Sequence, residues 1–150
     1  MNGQTPAAIL VTEDDAQHAL LIRAALKAAR LANPILVFDE GEQALAYLRG
    51  DGVYADRGLY PLPVLGLFDL HLPVMSGLDV LRGMREQPGL GHVPAVVLTA
   101  SEDPADIDRA YSAGANSYLI KPVGFEALLE VVRNLGLHWV LTSDVTVEPA

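Results

Sequence analysis

Apolar positions along the chain fall into two alternating rhythms, short unbroken runs and runs spaced at helical intervals. Ala8 to Thr12 is an apolar, strand-like run that stops at Glu13-Asp14-Asp15, after which Ile22, Ala25, Leu26 and Ala29 repeat at helical spacing. Asp14 or Asp15 is placed to cap that first helix. Ile35 to Phe38 reads as a second strand, and Gly41, Ala44, Leu45 and Leu48 as a helix that Gly50-Asp51-Gly52 ends. Val53 to Pro61 mixes Tyr, Gly and Pro and reads as a loop. Pro63 to Asp69 is hydrophobic throughout, as suits a central parallel strand covered on both faces. Gly77, Val80, Leu81 and Met84 predict a third helix, and Val93 to Thr99 a fourth strand opened by Pro94. Ile107, Ala110, Tyr111 and Gly114 mark a fourth helix that Gly114 terminates. Ser117 to Ile120 is a short fifth strand, and Phe125, Leu128, Leu129 and Val132 build the last helix, with Gly136 to Leu141 and a polar tail behind it.

Five strands alternating with five helices predict a doubly wound parallel α/β sheet, because each crossover is long enough for a helix and must be right-handed. One domain over residues 1–150 is expected, with a core of about 8–137 and a C-terminal extension of 138–150. There is no internal repeat or linker. Ligands in such sheets bind beyond the carboxyl ends of the strands, where the strand order switches direction.

Composition narrows the function. The 150 residues are 51% hydrophobic and 19% charged, which excludes a disordered or low-complexity chain. Nineteen acids against ten bases give a net charge of −9, which repels phosphate backbones and argues against nucleic-acid binding. With no cysteine, disulfides, thiolate metal sites and thiol nucleophiles drop out. No apolar run approaches the roughly 20 residues needed to span a bilayer, and residues 1–6 lack the basic start of a secretory signal. No membrane association is expected, and the cytoplasm is the expected compartment. Of the ten bases only Lys27 and Lys121 are lysines, and Lys121 sits in the apolar run Ser117-Tyr-Leu-Ile-Lys-Pro-Val123, where a lysine kept for solubility has little reason to be.

The strand ends carry the candidate chemistry. Strand one ends in Glu13 and Asp14, strand three in Asp69, strand four in Thr99 and strand five in Lys121. An acid after a strand is commonly a helix cap or turn residue, so it is the joint placement that informs. Three crowded carboxylates repel unless a cation relieves them, and oxygen-only ligands favour a hard ion such as Mg²⁺, which keeps sites open for phosphoryl oxygens. An Asp carboxylate can itself take the phosphoryl group, while Mg²⁺ and a lysine neutralise the transferring oxygens.

The runs Ile9-Leu-Val-Thr-Glu13-Asp14-Asp15, Phe68-Asp69-Leu-His-Leu-Pro73 with Gly77, Val97-Leu-Thr99-Ala-Ser101 and Tyr118-Leu-Ile-Lys121-Pro122 resemble the response-regulator receiver domains of two-component signalling. The resemblance spans about Ala8 to Leu137. It implies the flavodoxin-like fold with strand order 2-1-3-4-5. Asp69 is similar to the family's phosphoacceptor, and Glu13 and Asp14 to its acidic metal pair, with Asp14 the direct ligand and Glu13 acting through water. The backbone carbonyl of His71 would complete a site for Mg²⁺ or Mn²⁺. Thr99 and Tyr118 resemble the switch pair, and Lys121 the lysine that contacts the phosphoryl group. Ile120 to Pro122 matches the segment where the family places a cis peptide. His71 and Ser101, two residues beyond Asp69 and Thr99, match positions that flank the phosphoryl group and tune water attack, so His71 is expected to alter the aspartyl-phosphate lifetime. His18, His92 and His138 have no metal-site spacing and read as surface.

Rival chemistries fit less well. A haloacid-dehalogenase phosphatase needs a second Asp where His71 stands, a flavin site would meet repulsion from Glu13-Asp14-Asp15, and no G-x-G-x-x-G is present. A relay receiver that hands its phosphoryl group to another histidine protein remains open beside a terminal switch. Either would phosphorylate and dephosphorylate itself without turning over a diffusible substrate. The chain leaves no room for an output domain after the fifth helix, so output is expected from surfaces. Ile107, Ala110, Tyr111 and the last helix form the expected partner face. The Val53 to Pro61 insertion and the tail with Trp139-Val-Leu141, Val145 and Val147 resemble single-domain regulators paired with bacterial phytochrome histidine kinases. A homodimer through the fourth and fifth helices and Trp139 is expected.

Overall fold

The computed structural model describes residues 7–29, 33–121 and 123–134. Five parallel strands, β1 (Ala8–Thr12), β2 (Ile35–Phe38), β3 (Pro63–Asp69), β4 (Ala95–Thr99) and β5 (Ser117–Ile120), lie in the order β2-β1-β3-β4-β5. They alternate with α1 (Ala16–Ala28), α2 (Gly41–Arg49), α3 (Gly77–Glu86), α4 (Pro104–Ser112) and α5 (Phe125–Asn134). Successive strands are added toward one edge of the sheet from β1 to β2 and toward the other from β3 onward, so the switch-point crevice opens above the carboxyl ends of β1 and β3. Pairing of Thr12 with Phe68, Asp69 with Leu98 and Thr99 with Ile120 brings the four strand ends to one edge.

The period of two within each strand divides the core. Ile9, Val11, Leu65, Leu67, Val96 and Leu98 face α1 and α5, where Ile22, Leu26, Leu128 and Val132 meet them. Leu10, Phe68, Ala95 and Val97 face the other way, onto Leu45, Leu48, Leu81 and Met84 of α2 and α3 and Ala110 of α4. Each of these fully buried Leu and Ile side chains contributes about 1.5–3 kcal/mol. The result is a rigid two-sided frame whose upper edge carries the polar residues.

Caps set where the helices begin. Asp15, not Asp14, caps α1, its Oδ1 accepting the amides of Gln17 at 2.9 Å and His18 at 3.3 Å. Asp14 is thereby left free of the helix. Ser76 and Asp103 cap α3 and α4 in the same way. Gly50 closes α2 in the left-handed region at φ 76°.

One strand start and one loop differ from the sequence pattern. The fourth strand starts at Ala95 rather than Val93, since Pro94 has no amide to give to a ladder. α4 ends at Ser112 with Ala113 as its C-cap, and Gly114 follows at φ 109°, closing the helix as expected. The Val53 to Pro61 segment is not a plain loop: a 3₁₀ turn at Gly52–Ala55 leads into a pinned aromatic cluster. The Tyr47 hydroxyl donates to the Pro61 carbonyl. The Tyr54 ring stands edge-on to those of Tyr47 and Tyr60, with centroids 5.1 and 5.2 Å apart. Arg57 lies over the Tyr47 ring and donates to the Leu48 carbonyl at 3.0 Å. The expected extension 138–150, Trp139, His138 and the bond before Pro122 lie outside the described residues.

Candidate functional site

Three strand ends supply the crevice. Glu13, the residue after β1, is 2% exposed, Asp69 at the end of β3 is 4% exposed, and Asp14 projects to the surface between them. One oxygen from each of the three carboxylates lies within 4.8 Å of the others. Lys121 reaches across from the end of β5. Its Nζ stands 2.7 Å from Oδ2 of Asp69 and 2.8 and 3.0 Å from the two oxygens of Glu13. The Lys121 amide donates to the Thr99 carbonyl at 2.7 Å, which fixes the stem of the side chain against β4.

Electrostatics follow from this crowding. Burial raises the Glu13 carboxyl above its usual range, against the hydrogen bond from Lys121. Burial alone would lower Lys121, but its hydrogen bonds to Asp69 and Glu13 outweigh that, and the net shift is upward. One ammonium thus serves two buried carboxylates, and Asp14 has no cation of its own among the described salt bridges. The donor set is all carboxylate oxygen and carries an excess of negative charge, which fits a hard divalent cation.

The remaining expected residues take definite positions. Thr99 is fully buried at the end of β4, and its Oγ1 accepts the Ser101 amide at 3.4 Å. The Tyr118 hydroxyl donates to the Ser101 carbonyl at 2.9 Å, and burial raises its phenol. His71 is exposed and touches Asp69 through its amide, which donates to Oδ1 at 3.0 Å. The Ser101 hydroxyl does not turn toward Asp69; it donates to Asp106 of α4, which also receives Arg109. These two hydrogen bonds hold the Asp106 carboxyl below its usual range. On the expected partner face Tyr111 is 48% exposed, but Ala110 is fully buried. Its methyl belongs to the core under α4, so Ala110 is not part of that face.

Two features of the site escaped the sequence reading. Gly77, at the start of α3, packs so closely on Asp69 that a Cβ there would lie 1.9 Å from the Asp69 carbonyl oxygen. His18, taken for a surface residue, has its ring beside Glu13, with Nδ1 3.6 Å from Oε1 and the side chain 18% exposed. The signal was its spacing, one helical turn past Asp14. Of the other histidines expected at the surface, His92 is exposed.

Fold and strand-end acids together define the class, a flavodoxin-like receiver domain. The family model described as "Response regulator receiver domain" matches residues 9–133, and the chain belongs to that family. The probable methanogenesis regulatory protein FilR2 of Methanothrix harundinacea is 37% identical over 140 residues, 93% of this chain and 88% of its own length. Response regulator Rcp1 of Synechocystis is 31% identical over 137 residues, 91% of each chain. The crystal structure of Mn²⁺-bound Rcp1 matches with a TM-score of 0.74 at 30% identity, covering 97% of this chain and 100% of that one. The phosphorylated cyanobacterial phytochrome response regulator RcpA matches at 0.75 and 31%, covering 95% and 98%. The chain is therefore close to single-domain phytochrome response regulators in both sequence and fold. No helix among the described residues is long and apolar enough to cross a membrane.

Proposed function

We propose that this chain is a phosphorylation-activated response regulator that takes its phosphoryl group from a histidine kinase of the phytochrome type onto Asp69. A carboxylate oxygen of Asp69 attacks phosphorus, the P–N bond of the kinase phosphohistidine breaks, and the imidazole keeps the electron pair. Glu13, Asp14, Asp69 and the His71 carbonyl would hold Mg²⁺ or Mn²⁺, which supplies charge neutralisation for the phosphoryl oxygens. Lys121 shifts its hydrogen bond from Asp69 to the installed group. Thr99 donates its hydroxyl to the same group and draws the Ser101 segment with it. Tyr118, bound to the Ser101 carbonyl, repacks in turn and carries the change to α4 and α5.

The observation that carries this reading is the pairing of Lys121 with both Asp69 and Glu13 in a buried crevice, with the unpaired Asp14 beside it. The kinase type rests on the similarity to Rcp1 and RcpA. The net charge of −9 is consistent with partners other than nucleic acid. The cytoplasm is the proposed compartment. Output passes through a surface containing Ile107 and Tyr111, and we extend the proposal to a homodimer through α4, α5 and the Trp139 segment. A mass independent of concentration and phosphorylation would remove that extension.

Labelling by a small acyl-phosphate donor tests the central reading. Label should appear with Mg²⁺, vanish on chelation and vanish in Asp69→Asn. Label persisting in Asp69→Asn would mean that another residue is the acceptor. His71, exposed beside Asp69, sets the rate of water attack. Equal hydrolysis rates in the wild type and His71→Asn would remove that role.

A further inference from the structure

One polar side chain at the crevice has no part in the proposed phosphoryl transfer. His18 stands in the first turns of α1, and although its side chain is 18% exposed, its Nδ1 is shut from water and has no hydrogen-bond partner. That nitrogen lies 3.6 Å from Oε1 of Glu13, just beyond hydrogen-bond reach. Glu13 Oε1 has Lys121 in ion-pair contact at 2.8 Å but accepts no hydrogen bond, whereas Oε2 accepts from Lys121 at 3.0 Å and from the Asp15 amide at 3.2 Å. Its side chain is fully buried. A carboxylate so enclosed depends on its donors, because an oxygen that loses one carries the whole cost of desolvation.

Lys121 is the donor that leaves. Positive charge entering among Glu13, Asp14 and Asp69 repels the ammonium, and a phosphoryl group on Asp69 attracts it away. Glu13 Oε1 is then left with neither ion pair nor hydrogen bond, and a movement of about 0.7 Å brings the imidazole to a normal N–H···O distance. We propose that His18 is a positioning residue for Glu13, its Nδ1–H taking over Oε1 when Lys121 departs and so holding the carboxylate in its cation-binding orientation. The cluster of mutually close donor atoms contains only the three carboxylates, so the imidazole stands behind Glu13 and outside the ligand set. Partners of this kind orient metal-binding carboxylates and tune affinity without touching the ion. The inference rests on the cation-binding reading of the site.

Calorimetric titration with MgCl₂ and with MnCl₂ tests it in the wild type, His18→Ala, His18→Asn and Asp14→Asn, alongside long-range ¹H–¹⁵N spectra of His18. His18→Ala should weaken both ions on the order of tenfold. His18→Asn, whose amide N–H occupies the Nδ1 position, should recover most of the loss. In the wild type Mg²⁺ should fix the Nδ1–H tautomer and slow exchange of that proton. Undiminished Mg²⁺ affinity in His18→Ala, with binding lost in Asp14→Asn, would overturn the role of His18 alone. A bare Nδ1 in the Mg²⁺ form would overturn it too. So would a loss confined to Mn²⁺, which would make the imidazole a ligand. Absence of binding in the wild type would overturn both this inference and the site reading beneath it.

Discussion

Nζ of Lys121 donates to Oδ2 of Asp69 at 2.7 Å across 52 residues of chain, and the same ammonium holds both oxygens of Glu13. One cation therefore balances two buried acids contributed by β1 and β3, and its removal leaves both unpaired. Replacing a single partner of a buried ion pair costs about 3–5 kcal/mol, and the residual exposure of Lys121 points to the lower end. Lys121→Met should lose about 3 kcal/mol in urea melts at pH 7.5 without divalent ions. Burial already raises Glu13 in the folded state, and without Lys121 it rises further. The folded chain then binds more protons than the unfolded one just above the ordinary Glu value, so stability recovers as pH falls toward 5. A deficit unchanged between pH 7.5 and 5 would contradict the pairing.

Asp14 is the acid that Lys121 does not serve. Its oxygen lies within 4.8 Å of carboxylate oxygens of Glu13 and Asp69, and the repulsion remains unrelieved in the metal-free protein. Asp14→Asn should therefore stabilise that form by about 0.5–1 kcal/mol, a modest gain because the group is exposed. The same change should shrink the rise in melting temperature that saturating Mg²⁺ gives the wild type, since that rise follows the cation's affinity. Thermal melts with and without Mg²⁺ read both effects, which have opposite signs. A variant that melts lower in both conditions would show that Asp14 does structural work instead.

The elements of this fold were legible because each strand is an unbroken apolar run ended by a charged or hydroxyl residue. The observed β1, β2, β3 and β5 begin and end at the residues the pattern gave. Lys121 betrayed itself as a lysine in an apolar run. What the pattern did not carry are contacts and backbone conformations that apolar periodicity does not encode. Ala110 reads as surface or core with equal ease until the sheet beneath it is known. Ser101 matches a phosphoryl-flanking position, and its hydroxyl donates to Asp106 of α4, a partner that the sequence pattern does not name. Val74 has a positive φ of 68° and is 98% exposed. No composition rule places a β-branched residue there.

Gly77 fixes how closely α3 approaches the backbone of Asp69. Its amide donates to the Leu70 carbonyl at 3.1 Å, and a Cβ would sit 1.9 Å from the Asp69 carbonyl oxygen, with backbone rather than a movable side chain in the way. Gly77→Ala must push α3 off the end of β3. A loss of about 1–3 kcal/mol is expected from such overpacking. Because the strain falls on Asp69, the proposed acceptor, labelling by the acyl-phosphate donor should drop further than the stability loss explains. Full labelling in a destabilised variant would locate the strain elsewhere.

Tyr47 predicts how the protein fails in alkali. Its side chain is fully buried and its hydroxyl donates to the Pro61 carbonyl. Burial pushes the phenol up to about 12 from 10.0, despite the lowering effect of Arg57. Between those values the unfolded chain releases the proton and the folded chain keeps it. The folded state then binds more protons, and stability falls as pH rises, by about 3 kcal/mol across the window. Lys121, also raised in the folded state, adds to the decline: its stabilisation is complete below 10.5 and is lost above. In Tyr47→Phe the unpaired Pro61 carbonyl should cost about 1 kcal/mol at pH 8. From pH 10 to 12 the variant should decline less steeply, so the two stability curves converge and then cross. Urea melts at pH 8, 10 and 11.5 follow them, and curves that stay parallel throughout would show that the phenol ionises freely in the folded protein.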